Sequence, residues 1–187
     1  LEKQVAFLEA HPDIGLLGSA TIFMNREGRC QWVHIPPLED LHIRWDMLLS
    51  NPFSHSTIMM RRALLQQHNL NYANEGIAQD YELWTRAMQY TQLANLREPL
   101  VKYRLHYSMT HQHNQRQRHR RNSVALRTIQ QELPGLVLTP EQADGLRRLF
   151  LWRSPELQAH RTEYAQLYLD MLLAFLDKYR GDARAGA

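Results

Sequence analysis

Three groups of residues in this chain have types and spacings that could do chemistry. The first is Asp80 in Gln79-Asp80-Tyr81-Glu82-Leu83-Trp84, at the start of an amphipathic pattern and directly after a stretch without periodicity. A carboxylate held on a rigid element with its oxygens toward a cleft has what a general base requires. The same position suits an N-cap favoured by the helix dipole, and composition alone reads Asp80 as that cap. The second group is His106, His111 and His113. Imidazoles on a loop can bind a divalent metal, but this spacing matches no structural zinc pattern, and scattered exposed histidines are the plainer reading. The third is Asn51-Pro52-Phe53-Ser54-His55-Ser56-Thr57, a polar run leading into a strand. Its hydroxyls and His55 could line a site for a sugar or another polyhydroxy ligand, or could satisfy the backbone of a turn.

The elements that must hold these residues follow from hydrophobic spacing. Leu1, Val5 and Leu8 recur at helical intervals until His11-Pro12 stops them. Residues 14–24 form an apolar, β-branched run suited to a buried strand, and a turn at 25–28 leads to a return strand at 31–35. Leu41, Trp45, Leu48 and Leu49 mark a helix that ends before Asn51-Pro52, and residues 56–60 read as a further strand. Residues 61–68 form a short helix, 69–78 a loop, and Tyr81, Trp84, Ala87 and Met88 share one face of the helix begun at Asp80. Strand character returns over 93–106. Helical patterns follow at 124–133, 140–152 and 163–180. The last carries a broad stripe of Tyr164, Leu167, Tyr168, Met171, Leu172, Phe175, Leu176 and Tyr179 that must pack on the domain or on a second copy. Strands mixed with helices and then helices alone indicate an α/β fold with a helical tail.

A chain of 187 residues can bury most of its unfolded surface as one domain with or without a helical appendage. With 44% apolar and 22% charged residues it is too apolar to be disordered, and its longest purely apolar run, residues 171–176, is too short to span a bilayer. The single cysteine, Cys30, excludes an intramolecular disulfide and a cysteine-rich zinc site and fits a reducing compartment. No secretory signal opens the sequence, which starts at Leu1 inside a helical pattern, as a piece cut from a longer polypeptide would. Charge is uneven. Residues 97–127 hold eight Lys and Arg against one acid, Glu98, leaving 14 bases against 18 acids elsewhere. Such an excess attracts anions (a nucleotide diphosphate, anionic lipid or nucleic acid), or it is a solvated helix face. The lack of interleaved aromatics after Tyr107 argues against single-strand stacking.

In order along the chain, five motifs resemble the second half of family 2 glycosyltransferases. They are Leu1-Glu2-Lys3-Gln4-Val5-Ala6-Phe7-Leu8; Asp13-Ile14-Gly15-Leu16-Leu17-Gly18-Ser19; Asn51-Pro52-Phe53-Ser54-His55-Ser56-Thr57-Ile58-Met59-Met60-Arg61; Gln79-Asp80-Tyr81-Glu82-Leu83-Trp84-Thr85-Arg86; and Leu100-Val101-Lys102-Tyr103-Arg104-Leu105-His106. The likeness covers residues 1–110. It implies the acceptor-side half of a GT-A-like α/β domain, a mixed sheet flanked by helices whose N-terminal nucleotide-binding half is absent, followed by a helical extension at 111–187. It further implies inverting transfer of a sugar from a nucleoside-diphosphate donor to an acceptor hydroxyl, as in polysaccharide biosynthesis.

By the same resemblance, Asp80 is the general base, with His55, Ser56 and Trp84 on the acceptor side. Lys102 and Arg104 are diphosphate partners, and His106 is a metal ligand. The alternation of side chains along a strand lets Lys102, Arg104 and His106 point the same way. Two departures matter. Gln79 stands where the family often has Glu, and no Asp-x-Asp occurs in the 187 residues. A Mg or Mn ion is therefore expected to need that missing motif, and the chain alone is expected to be inactive. The implied partners are a nucleotide-sugar donor and a carbohydrate or lipid-linked acceptor. A cytoplasmic location is expected, with peripheral contact on the inner face of a membrane and a homodimer through the last helix as further expectations. The rival reading is a non-catalytic basic module that binds nucleic acid or a protein partner.

Overall fold

The computed structural model describes residues 1–73, 78–105, 114–150 and 161–180. Its spine is β1 (Ile14–Met24), whose first eight residues are all buried. A strand covered on both faces must be apolar on both, which is why the run Ile14-Gly15-Leu16-Leu17 shows no alternation. β4 (Gln92–Arg104) runs parallel to β1 along its whole length. β2 (Cys30–His34) and β3 (Met59–Met60) pair antiparallel with the two ends of β1 and, since β4 occupies one edge, share the other. The hairpin turn between β1 and β2 uses Gly28 in the left-handed region, φ 83°. The result is an open mixed sheet. Helices α1 (Glu2–Ala10), α2 (Asp40–Met47), α3 (Arg62–Gln67), α4 (Gln79–Ala87), α5 (Asn114–Glu132), α6 (Pro140–Phe150) and α7 (Arg161–Tyr179) accompany it.

The sheet, α2, α3 and α4 share a core of Leu16, Ile43, Met47, Phe53, Leu64, Tyr81, Trp84 and Leu93. A second core joins Leu48 and Leu49 at the end of α2 to Ile129 of α5, Leu146 of α6, and Met171 and Phe175 of α7. Most of the stripe on α7, from Tyr164 to Tyr179 but without Leu176, thus packs within the chain, with Trp45 set edge-on to Tyr168 and Phe175 at ring separations of 5.5 and 5.2 Å. Leu169, Leu173 and Leu176 remain exposed on the same helix. Among the described residues no helix is long and apolar enough to cross a membrane.

Two local readings change in three dimensions. The expected strand at 56–60 is a single 3-10 turn, His55–Thr57, followed by only Met59–Met60 as strand. The Thr57 hydroxyl donates to the Ser54 carbonyl at 2.8 Å and accepts from the Ser19 amide at 3.2 Å, so side-chain bonds replace a ladder there. On α1 the buried positions are Gln4 and Leu8, whereas Val5 is exposed. The Gln4 amide donates to the Thr57 carbonyl at 2.7 Å, and that partner draws a polar residue inward. Arg61 closes the same region by donating to the carbonyls of Leu8, His11 and Ile14, where α1 ends and β1 begins.

Asp46, on α2, offers a direct test of burial. Desolvation pushes its carboxyl up to about 6, with His42 opposing weakly. A raised folded value means that Asp46 contributes its stability when protonated, below about pH 3.8, and loses it as pH rises through about 6. Asp46→Asn is therefore expected to stabilise the chain by about 1 kcal/mol at pH 8, after allowance for solvent screening, and to be neutral at pH 4. Urea midpoints at the two pH values check this.

Candidate functional site

The end of α2 sets the position of the Asn51-Pro52 segment. Its terminal carbonyls are taken by side chains from elsewhere: Tyr81 Oη donates to Met47 O at 2.7 Å, and Arg147 Nε donates to Leu49 O at 2.7 Å. Both donors are buried. The chain therefore leaves α2 in a fixed direction, and Asn51 tightens it further by accepting from Phe53 N at 3.0 Å. Gly18 of β1 is required beside this turn, because a Cβ there would meet Asn95 Oδ1 at 2.2 Å and Phe53 Cδ1 at 2.8 Å.

The other end of the Asn51 side chain reaches Asp80, with Nδ2 donating to Oδ2 at 3.1 Å. Asp80 is half-buried in the first turn of α4. It is not the cap. That position falls to Ala78, in the left-handed region at φ 51°, with no side-chain capping bond. The carboxylate is instead directed to a partner 29 residues away in sequence, still inside the favourable field of the helix N-terminus.

Around it lie three rings. His55 Nε2 and Tyr72 Oη are 2.9 Å apart. Trp84, one turn along α4 from Asp80, sets its ring edge-on to His55 at 6.0 Å and to Tyr72 at 6.3 Å. Trp84 is 1% exposed and its buried indole N–H has no hydrogen-bond partner among the described residues, whereas His55 and Tyr72 are exposed. Burial and the nearby Asp80 charge both push the Tyr72 phenol up, so it remains a neutral donor at physiological pH. A carboxylate, an amide, an imidazole, a phenol and an indole thus converge at one helix N-terminus. That set can bind hydroxyl groups and take up a proton.

Of the residues expected at a site, Asp80, His55 and Trp84 come together, and Ser56 follows His55 in the 3-10 turn, with its side chain exposed. Lys102 and Arg104 lie at the far end of β4. Arg104 is engaged at the β1–β2 hairpin, where it donates to the carbonyls of Asn25 and Arg26. His106, His111 and His113 lie outside the described residues. Sequence reasoning passed over Tyr72 as part of a loop. The available signal was an isolated aromatic in an otherwise polar stretch. Among the described residues no group of three or more His, Cys, Asp or Glu side chains is placed to hold a metal ion.

No family model matches the chain, and no solved structure matches it. Two curated proteins do. The amylovoran biosynthesis glycosyltransferase AmsE of Erwinia amylovora is 31% identical over 104 residues, 55% of this chain and 38% of its own length. An uncharacterized glycosyltransferase of Haemophilus influenzae is 32% identical over 119 aligned residues, covering 59% of this chain and 37% of its own. The chain is similar to glycosyltransferases. It spans less than two fifths of the length of either relative.

Proposed function

We propose that this chain is the acceptor-side part of a family 2, GT-A-like sugar transferase, with residues 1–110 contributing to the catalytic domain and 111–187 forming a helical extension. The observation that carries the reading is the pairing of Asp80 with Asn51 amid His55 and Tyr72. It brings together two of the motifs whose order resembles that family, and the similarity to two glycosyltransferases supports it. The name of the Erwinia relative supports a polysaccharide as product.

In this reading a nucleoside-diphosphate sugar is the donor. The acceptor, a carbohydrate or lipid-linked saccharide, places one hydroxyl against the free oxygen of Asp80. Asn51 holds the carboxylate so that one lone pair remains available. His55, Ser56 and Tyr72 offer hydrogen bonds to neighbouring hydroxyls, and Trp84 backs the rings of His55 and Tyr72. As the acceptor oxygen forms its bond to the anomeric carbon, its proton passes to Asp80, and the bond to the diphosphate breaks with inversion. Lys102 and Arg104 are assigned to the diphosphate. A divalent metal, to which His106 is assigned, would neutralise the leaving group using ligands mostly supplied from outside these 187 residues.

The test is transfer by a polypeptide that joins this chain to a donor-binding half. Release of nucleoside diphosphate that depends on acceptor supports the reading, and no release across a panel of donors and acceptors overturns it. Within that assay, Asn51→Ala is expected to lower kcat by about tenfold, since Asp80 loses its positioning bond and the turn loses its Phe53 contact. An unchanged kcat would remove Asn51 from the site.

A further inference from the structure

A well-formed cleft lies away from Asp80. A groove of about 1270 Å³ lies between α5 and α6, closed on one side by Tyr164 of α7. Five arginines line it, Arg116, Arg118, Arg120, Arg127 and Arg148, against two acids, Glu141 and Asp144. Part of this charge is already matched, since Arg127 pairs with Glu82 at 3.2 Å, while Asp144 accepts from the neutral Asn122 amide. Arg116 and Arg118 are exposed at the groove. The positive excess sits in a concavity, where low-dielectric walls concentrate the field, and guanidinium forks match phosphate oxygens in pairs.

The groove also has an apolar part. Leu126, Pro140 and Tyr164 line it, and Leu126 and Tyr164 are packed against the second core. Gly145 of α6 makes this possible, because a Cβ at that position would meet the Tyr164 ring at 2.1 Å. The volume exceeds the roughly 300–1,000 Å³ of small-ligand sites, which leaves room for a head group and a chain. A nucleic-acid duplex presents phosphates but no apolar chain to cover Leu126, Pro140 and Tyr164.

We infer that the α5–α6 groove binds a phosphate-bearing amphiphile, its phosphate on Arg116 and Arg118 and its apolar chain on Leu126, Pro140 and Tyr164. This stands apart from the assignment of Asp80. Calorimetry on the 187-residue chain at low ionic strength tests it, with decyl phosphate below its micelle concentration as probe. Decyl phosphate is expected to bind at least about tenfold more tightly than inorganic phosphate or decanol, since only it engages both parts. Arg116→Ala with Arg118→Ala is expected to weaken binding about tenfold or more. Arg62→Ala with Arg97→Ala removes the same charge from two exposed sites outside the groove and is expected to leave binding unchanged. Circular dichroism establishes that both double variants fold. Equal losses in the two double variants, or no binding of decyl phosphate, would overturn the inference. Tighter binding of a short DNA duplex would reassign the charge to nucleic acid. Binding only to phosphatidate vesicles, with none to soluble decyl phosphate, would replace the groove by a surface contact.

Discussion

Asp80→Asn is expected to lower sugar transfer by about a thousandfold with the fold intact, in a polypeptide that joins this chain to a donor-binding half. The magnitude is that of a general base removed from a proton transfer, about 10² to 10⁴. The substitution isolates the chemistry. An amide oxygen still accepts from Asn51 Nδ2, and the half-buried site at the start of α4 keeps its shape. What is lost is the second basic oxygen. Donor KM should stay within a factor of about two, because the lost interaction operates as the acceptor oxygen attacks. The unfolding free energy from urea titration should change by less than about 0.5 kcal/mol. Full turnover in Asp80→Asn would remove Asp80 from catalysis. A parallel collapse of stability would instead make it a structural carboxylate of α4.

The second large effect concerns the helices, not the site. Glu132, at the end of α5, is 1% exposed at its side chain and accepts three bonds: from Lys178 Nζ at 2.5 Å, Tyr179 Oη at 2.7 Å and Gln89 Nε2 at 2.5 Å. These tie α5 to the end of α7 and to the segment after α4. Burial pushes the Glu132 carboxyl up, but the bonds from Lys178, Tyr179 and Gln89 outweigh it and hold the group below the usual carboxylate range. Glu132→Gln replaces one accepting oxygen by a donating NH2 that faces the donors Lys178, Tyr179 and Gln89, and leaves a buried cluster unsatisfied, at an expected cost of about 3 kcal/mol at pH 7.

The sign with pH follows from the direction of that shift. A depressed folded value gives stability that is present above the unfolded value of 4.5 and is lost as pH falls through the lower folded one. The gap between wild type and Glu132→Gln should therefore narrow steadily below about pH 4.5. Denaturant midpoints at pH 7, 5 and 3 measure it. A gap that is constant across the three would assign the loss to packing instead of charge.

These two residues also show how differently the chain discloses itself. Asp80 was legible because a helix start after an irregular stretch is a local pattern, and its motif lies in order with four others. Glu132 offered no such signal: its partners are 43, 46 and 47 residues away, and a glutamate near a helix end reads as solvated surface. Tyr72 was hidden for the same reason. A tyrosine in a polar loop acquires meaning only when His55 lies 2.9 Å from it.

By itself, the sequence determined the local elements and their order. The buried run at Ile14–Met24, the hairpin turn at Gly28 and the amphipathic helices follow from side-chain spacing and backbone preference, which act over a few residues. Tertiary structure decided which polar groups found partners. Asp80 became a ligand of Asn51 instead of a cap, Gln4 turned inward to the Thr57 carbonyl, and a predicted strand shrank to two residues once Thr57 bonded to Ser54 and Ser19. It also closed the α7 stripe onto Leu48, Leu49 and Trp45 within the same chain. The physical reason is common to all of these. A buried polar atom must be satisfied and an apolar face must be covered, but the group that does so can come from anywhere along the chain, and only the folded arrangement selects it.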